Sequence, residues 1–204
     1  MGLLLLLPAG TLRFPGAWRL IAVLFIPMLL LGTVLFLCKP DLLEKRLDQK
    51  ENEEEQKAVI LFSALMFLCA FVLCGLDFRF GWSAVPRRLV ITACAVFLLT
   101  YAGFAELLRE NEYLARTVKV QEGQQVVSTG LCGIVRHPMY AVIFRMFLSM
   151  PLITGSLIGL IPMAFLPYVL AKRIKNEETV LLAELKGYKD CTEKVRRRMI
   201  PFLR

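Results

Sequence analysis

The stretch GIVRHPMYA, residues 133–141, places the chain's only histidine, His137, between Arg136 and Pro138 at the start of a long apolar run. Proline is favoured in the first turn of a helix and pushes the residue before it towards an extended conformation. A helix that begins at Pro138 directs free N–H groups at the interface, where they can bind an anion such as the carboxylate of a cofactor. His137 and Tyr140 would border that site. The alternative is structural, with Arg136 and His137 anchoring a membrane segment at headgroup level.

A second polar cluster lies in AKRIKNEETVLLAELKGY, residues 171–188. Arg173 and Glu177 are four residues apart and would share one helix face, with Glu178 beside them. Taken alone, this spacing is typical of an ordinary surface ion pair. Because both clusters flank the same apolar block, we expect them to converge in space. Arg145 is a further candidate, since a charge inside an apolar segment normally faces a cavity or partner, although it can also snorkel to the interface.

The composition indicates that membrane helices position these residues. Of the 204 residues, 57% are hydrophobic, and the mean hydropathy is +0.60. A soluble domain cannot bury so many apolar runs, whereas a bilayer accommodates each run of about 20 residues. We therefore expect a single all-α integral membrane domain over residues 1–204.

Four apolar blocks define the expected spans. The last block has about 33 residues and would be about 50 Å long as one helix, but Pro151 and Gly155 supply a break. We predict a helical hairpin there and about five transmembrane helices in all. The blocks are Ala17–Cys38, Ala58–Leu76, Leu89–Leu108 and Met139–Ala171.

This division gives the chain two parts. Residues 1–108 form three N-terminal spans with a cytoplasmic, helix-forming segment at 39–57. Residues 109–204 form the catalytic part, in which a cytoplasmic loop and a C-terminal helix accompany the hairpin 139–171 and build the binding site.

The basic residues predict the orientation. In this topology nineteen of them share one side, ten in the tail from Lys172 onwards, five in Lys39–Lys57 and four in Arg109–Pro138. The other side has five, which are Arg13, Arg19, Arg79, Arg87 and Arg88. Since cytoplasmic loops are enriched in lysine and arginine, the tail and both polar clusters are expected in the cytoplasm.

Other sequence features exclude some classes of function. The six cysteines form no CxxC or Cys/His cluster, which argues against a disulfide framework and a metal site. The net charge of +8 does not indicate nucleic acid binding, because the basic residues flank apolar segments. Anionic membrane lipids are the expected partner instead. The opening MGLLLLLPAG lacks a basic n-region and is interpreted as a membrane-edge segment, not a cleaved signal peptide.

The ordered motifs TGLCGIVRHPMY, RIKNEETVLLAELKGY and VRRRMIP resemble the isoprenylcysteine carboxyl methyltransferase family, membrane enzymes that use S-adenosylmethionine. The resemblance extends over Thr117–Pro201, and PAGTLRFPGAW, KPDLLEKRL and GLDFRFGWS resemble segments of prokaryotic relatives. It implies methyl transfer to the carboxylate of a prenylated or other lipid-like acceptor, giving a methyl ester. For a prokaryotic source it also implies a plasma-membrane location with the catalytic side cytoplasmic.

The resemblance also implies roles for single residues. Arg173 matches the arginine that faces the methyl acceptor. The residues implied to bind the cofactor are His137, Pro138, Met139, Tyr140, Glu177, Gln121, Gln124, Gln125, Val126 and Val127, and further candidates are Arg136, Glu178 and Arg145.

The chain departs from the family pattern at three positions. Cys132 and Cys191 stand where the family has tyrosines, and Val142 stands where it has a small residue. We expect that one cofactor contact is lost with the ring at position 132, and that Val142 narrows or reshapes the pocket.

The implied reaction fits the residues available. A carboxylate is already ionised at neutral pH and needs no general base, so positioning is the main catalytic contribution, worth about 7–11 kcal/mol in well-oriented systems. Arg173 could hold the carboxylate through a forked pair.

Three alternatives to this function remain open. A lipid-amine N-methyltransferase, acting for example on a phospholipid, would need a base such as Glu178. The others are a membrane reductase of the sterol-reductase type and a non-catalytic membrane protein.

Overall fold

The computed structural model describes residues 1–47, 54–111, 113, 120, 123–127, 129–195 and 197–199. This part of the chain is all-α and contains no β-strand, in agreement with the expected fold class. Its helices are α1 (Gly2–Ala9), α2 (Pro15–Cys38), α3 (Pro40–Leu47), α4 (Glu54–Phe80), α5 (Arg87–Glu110), α6 (Gly130–Ile134), α7 (Pro138–Thr154), α8 (Leu160–Met163), α9 (Leu166–Glu184) and α10 (Tyr188–Lys194).

Three of the described helices, α2, α4 and α5, are long and apolar enough to cross a membrane. Each contains one predicted span and extends it by a few residues, as at Pro15 and Phe80. Only 11%, 28% and 17% of the residues in their most apolar windows are buried within the protein. Their side chains therefore need lipid rather than water around them, and the protein is an integral membrane protein.

The predicted break in the last apolar block is confirmed. Helix α7 runs through Pro151 and ends at Thr154, where Gly155 adopts φ +94°, a left-handed conformation that favours glycine. The second arm is divided into α8 and α9, and α9 continues well past Ala171. With 17 residues, α7 would be about 26 Å long, slightly less than the hydrocarbon core. The count of five spans therefore stays a prediction.

Helix α7 lies at the centre of the bundle and contacts α2, α4, α5, α8 and α9. The N-terminal helix α1 packs on α4, and Leu5 is fully buried there. Gly75 on α4 permits this contact, because a Cβ at that position would lie 2.5 Å from the carbonyl oxygen of Leu5. The predicted 39–57 segment is described as α3 and the start of α4, whereas residues 48–53 lie outside the described part.

A hydrogen-bonded cluster around Asp77 fixes the end of the bundle where α4, the 81–86 turn and the hairpin meet. The Asp77 side chain is buried and accepts hydrogen bonds from the backbone N–H of Ser83 (2.7 Å), from its hydroxyl (2.5 Å) and from the hydroxyl of Ser156. The Ser83 hydroxyl oxygen accepts in turn from the N–H of Leu157 (2.9 Å). One carboxylate thus ties the turn between α7 and α8 to the end of α4.

We predict that Asp77→Ala destabilises the protein strongly. The substitution leaves the Ser83 N–H and the Ser156 hydroxyl without their acceptor, and each buried unsatisfied donor costs about 1–3 kcal/mol. The measurement is the melting temperature of the detergent-purified protein. Thr92→Ala is the control, because that exposed hydroxyl bonds only to the carbonyl of Arg88 in its own helix. Equal melting temperatures for the two variants would contradict a structural role for the cluster.

Candidate functional site

Pro138 begins α7, as the sequence predicts, and His137 before it has a non-helical backbone (φ −123°, ψ 62°). The C-terminal tail fixes this segment from outside. The N–H of Arg136 donates to the carbonyl of Arg197 (2.9 Å), and the N–H of His137 donates to the carbonyl of Arg198 (2.8 Å). The entrance to α7 is therefore held in a single conformation by residues about 60 positions later in the chain.

A cleft opens between the start of α7, the 124–127 segment and the helices α9 and α10. Its lining combines polar and aliphatic groups. The lining residues are Asn111, Tyr113, Gln124, Gln125, Val126, Val127, Cys132, Arg136, His137, Pro138, Met139, Tyr140, Glu177, Val180, Leu181, Leu185, Tyr188 and Cys191. The two polar clusters of the sequence thus converge on one cavity.

Glu178 forms a buried ionic cluster behind the cleft. Its Oε1 accepts from Arg136 Nε (2.9 Å) and lies 3.3 Å from His137 Nε2, and its Oε2 lies 3.0 Å from a guanidinium nitrogen of Arg198. Arg136 also donates to the carbonyl oxygen of Val195 (2.8 Å). Burial disfavours the charged carboxylate, but the hydrogen bonds from His137 and Arg136 outweigh it and lower the pKa of Glu178 to about 2. Glu178 is therefore an anchor for cations and a very weak base.

A second polar chain connects α7 with α9 at the cleft wall. The Tyr140 hydroxyl donates to Glu177 Oε2 (2.6 Å) and accepts from Arg173 Nε (3.2 Å). His137 Nδ1 lies 3.9 Å from the same Glu177 oxygen. Arg173 and Glu177 are therefore four residues apart on α9, as predicted, and the hydroxyl of Tyr140, which belongs to α7, lies between their side chains.

Most of the predicted site residues that the structure describes line the cleft, but three of them do not. Arg173 contacts Tyr140 from beyond the cleft wall, and Glu178 is buried behind it. Arg145 is a correction, because its side chain is exposed and donates to the carbonyl of Ala141 in its own helix (3.1 Å), so it takes no part in the cleft. Gln121 lies outside the described residues.

Of the three residues that depart from the family pattern, two line the cleft and one does not. Cys132 and Cys191 both line the cleft, and burial raises the pKa of each thiol, which keeps both neutral. All six cysteines, each within the described part of the chain, are free. Val142 is buried but is not among the lining residues, so the expected narrowing of the pocket by this side chain is not observed.

Sequence reasoning missed several lining residues, of which Tyr188 is the most informative. Its hydroxyl is buried and has no hydrogen-bond partner among the described residues, and burial raises its pKa, so it is available as a donor. Gly187 precedes it with φ +82°, the left-handed conformation that turns the chain from α9 into α10. Val180 and Leu181 could have been found, since they follow Glu177 by three and four residues and share its helix face.

No group of three or more His, Cys, Asp or Glu side chains that could hold a metal ion occurs among the described residues. The nearby carboxylates of Glu177 and Glu178 are instead used by hydrogen-bond donors on α7 and the tail.

Comparison with known proteins identifies one family. Residues 89–183 match the model of the isoprenylcysteine carboxyl methyltransferase (ICMT) family. The matched region runs from α5 into the last turn of α9 and includes both His137 and Glu177. Tyr188, Cys191 and Arg198 follow it. No curated protein matches the chain.

We predict that acid destabilises the protein through Glu178. The Glu178 carboxyl has a pKa of 4.5 in an ordinary environment and a pKa of about 2 in the folded protein. Its contribution to the free energy of unfolding is therefore complete above pH 4.5 and is lost as the pH falls through about 2. The melting temperature of the purified protein should fall across this range. Glu178→Gln should flatten that fall, and at neutral pH it should lower the melting temperature by several degrees because Arg136 loses its buried counter-charge.

Glu184→Gln is the matched control for this experiment. Glu184 is exposed at the end of the same helix, so its variant should reproduce the wild-type curve. A wild-type acid response in Glu178→Gln would contradict the assignment of that response to the buried cluster.

Proposed function

The chain belongs to the isoprenylcysteine carboxyl methyltransferase family through residues 89–183, and on this premise we propose that it transfers a methyl group from S-adenosylmethionine to the carboxylate of an apolar, lipid-linked acceptor. The family makes it a membrane methyltransferase. The cofactor, the acceptor, the ester product and the roles of single residues are our proposal.

One observation carries the proposal: the polar groups form an ordered chain from the cleft towards the apolar helices. Glu177 lines the cleft, Tyr140 contacts Glu177, and Arg173 contacts Tyr140 on the far side. Arg173 also precedes Glu177 by one turn of α9, on the side of the apolar residues 166–171. This order supports a water-soluble cofactor in the cleft and a lipid-like acceptor at the arginine.

The cleft residues fit S-adenosylmethionine chemically. The Glu177 carboxylate would accept from an ammonium or hydroxyl group, the Tyr188 hydroxyl offers a buried donor without a partner among the described residues, and the amides of Gln124 and Gln125 offer more donors. Val180, Leu181 and Leu185 would cover an aromatic base. These groups match a molecule that is charged at one end and aromatic at the other.

The mechanism needs few protein groups. When bound, S-adenosylmethionine supplies an electrophilic methyl group, and an ionised carboxylate can accept it without prior deprotonation. Arg173 would hold the carboxylate through charge-assisted hydrogen bonds, and Tyr140 would fix the direction of the guanidinium. Glu177, through the same tyrosine hydroxyl, would couple the position of the acceptor to that of the cofactor. Catalysis would then come from positioning.

The position of Glu178 favours a carboxylate acceptor over an amine. N-methylation of a lipid amine requires a base that removes a proton before attack, and Glu178 is the carboxylate that the sequence offered for this task. It lies behind the cleft wall, in contact with Arg136 and Arg198, with a pKa of about 2. A carboxylate held in this way is a poor proton acceptor near neutral pH.

The acceptor would enter from the bilayer. Its apolar tail would lie among the helices while its carboxylate reaches Arg173. We propose that the cleft faces the cytoplasm, since nineteen of the basic residues fall on that side in the predicted topology, and that the plasma membrane is the location if the source is prokaryotic. The whole chain would act as one methyltransferase domain.

We predict a separation of binding from turnover between Glu177 and Arg173. In calorimetric titrations with S-adenosylhomocysteine, Glu177→Ala should bind at least about tenfold more weakly, because the ligand loses a charge-assisted hydrogen bond worth about 1.5–3 kcal/mol. Arg173→Ala should bind within about threefold of wild type and lose transfer of labelled methyl groups to a prenylated cysteine probe. Arg173→Lys should also be poor, because lysine lacks the planar fork.

Arg145→Ala is the matched control, since this arginine lies on α7 outside the cleft. Its binding and turnover should equal those of wild type. Product that survives base treatment would indicate N-methylation rather than an ester, and equal loss of affinity in the two alanine variants would contradict the division of roles. Absence of S-adenosylhomocysteine binding to the folded wild-type protein would overturn the proposed cofactor.

We predict that His137 is needed for cofactor binding. His137→Gln keeps a polar side chain but loses the ring that lies between Glu177 and Glu178, and its affinity for S-adenosylhomocysteine should fall at least about tenfold, or about 1.4 kcal/mol. Pro138→Ala should do the same, because the residue before position 138 becomes free to turn helical. Wild-type affinity in a folded His137→Gln protein would favour the alternative that this motif only anchors the helix at the headgroups.

A further inference from the structure

A second cavity lies on the outer face of α9, separate from the cleft that we assign to the cofactor. It has a volume of about 690 Å³, and we call it the α9 cavity. Its lining residues are Tyr168, Ala171, Lys172, Lys175, Asn176, Thr179, Val180 and Arg198. Only Val180 also lines the cofactor cleft. Apart from Val180, no residue to which we give a role in methyl transfer lines the α9 cavity, so its function can be tested separately at the other lining residues.

The α9 cavity carries a strong positive charge. Lys172, Lys175 and Arg198 contribute three cationic side chains, and none of the eight described lining residues is acidic. Arg198 is held in position, because its guanidinium lies 3.0 Å from Glu178 Oε2 behind the wall. Such a concentration of positive charge around one concave surface attracts an anion.

Asn176 adds a donor that has no described acceptor. Its Nδ2 is buried and makes no hydrogen bond with any described residue, although the side chain lines the cavity. Unsatisfied buried donors are rare because they are costly, and a ligand oxygen in the cavity would satisfy this one. The Thr179 hydroxyl already donates to the carbonyl of Lys175 (3.0 Å), so the amide and the three cations are the donors that remain for a ligand.

The position of the cavity along the helix indicates where the ligand comes from. Immediately before it, Ile161 and Phe165 are 62% and 56% exposed, and Tyr168 at its edge is 64% exposed. Tyrosine is enriched at the membrane interface, and lysines just beyond an apolar segment lie at headgroup level. An acyl chain would contact the exposed apolar side chains while its headgroup lies beside Lys172 and Lys175.

We propose that the α9 cavity binds the phosphate headgroup of an anionic phospholipid. The phosphate oxygens accept from Lys172, Lys175, Arg198 and the Asn176 amide, and the acyl chains contact Phe165 and Ile161. The sequence indicates only that the basic residues favour anionic lipid in general. The structure assigns this preference to one concave site.

The test is native mass spectrometry of the detergent-purified full-length protein. After exchange into equimolar phosphatidylglycerol and phosphatidylcholine, the protein should retain phosphatidylglycerol preferentially. Lys172→Gln/Lys175→Gln should reduce that retention at least about tenfold, because each lysine near an anionic surface contributes about fivefold. Asn176→Ala should reduce it less. The matched control Lys186→Gln/Lys189→Gln removes the same charge from exposed tail positions outside the cavity and should leave retention unchanged.

Any of three results would overturn the proposal. The first is equal retention of both lipids by wild type. The second is equal losses in the two double variants, since the effect would then depend on net charge alone. The third is displacement of phosphatidylglycerol by millimolar inorganic phosphate, which would indicate a site for small free anions. Melting temperatures that match wild type show that a loss of retention comes from the cavity and not from unfolding.

Discussion

The buried carboxylate of Glu178 provides the interactions on which the end of the molecule that contains the cleft depends. It holds Arg136 and His137 from the start of α7 and Arg198 from the tail, while its own backbone belongs to α9. Three segments that are distant in sequence are therefore fixed around one charge. A carboxylate in this position cannot be protonated or removed without a large cost in stability, because the buried Arg136 would lose its counter-charge. The same arrangement lies behind the cleft in which we propose that the cofactor binds.

The consequences of that anchor extend to both cavities on α9. On the inner side, His137 and Tyr140 are directed at Glu177, so the cleft receives its polar wall. On the outer side, Arg198 is held where it can complete the basic lining of the α9 cavity. In our proposals, the cofactor occupies the cleft and the phospholipid headgroup occupies the α9 cavity, so α9 lies between the two ligands. Val180 is the single side chain that lines both cavities.

The opposite end of the bundle is fixed in a comparable way by Asp77, which accepts from both Ser83 and Ser156. The Asp77 and Glu178 clusters both help to define how the helices are arranged relative to one another in lipid. Apolar contacts between helix and lipid resemble those between helix and helix, so hydrogen bonds and close packing of small residues have to define the arrangement. Polar contacts at both ends of α7, together with the close approach at Gly75, supply that definition.

The class of protein and many of the residues around the cleft follow from the sequence. Apolar periodicity and length set the membrane helices, and Gly155 set the break in the hairpin, because these features depend on local chemistry that a bilayer selects directly. The order RHPxY and the spacing of Arg173 and Glu177 identified most of the polar residues around the cleft. Arg145 was misjudged, because the side of a helix that faces the site is decided by neighbouring helices and not by the residue's own segment.

Which of these side chains contact one another depends on how the helices pack, and the sequence did not predict it. Spacing along α9 suggested a direct pair of Arg173 and Glu177, whereas Tyr140 of α7 lies between them. Sequence offered Glu178 as a base, but two arginines and a histidine from two other segments surround it, and it is a fixed anion. Asn176 and Tyr188 lie within a motif that the sequence showed, but their roles at the α9 cavity and the cleft were not predicted from it. Hydrogen bonds, pKa shifts and cavities arise from groups that different helices bring together. The spacing of residues along the sequence gives distances only within a single helix, so it does not predict these properties.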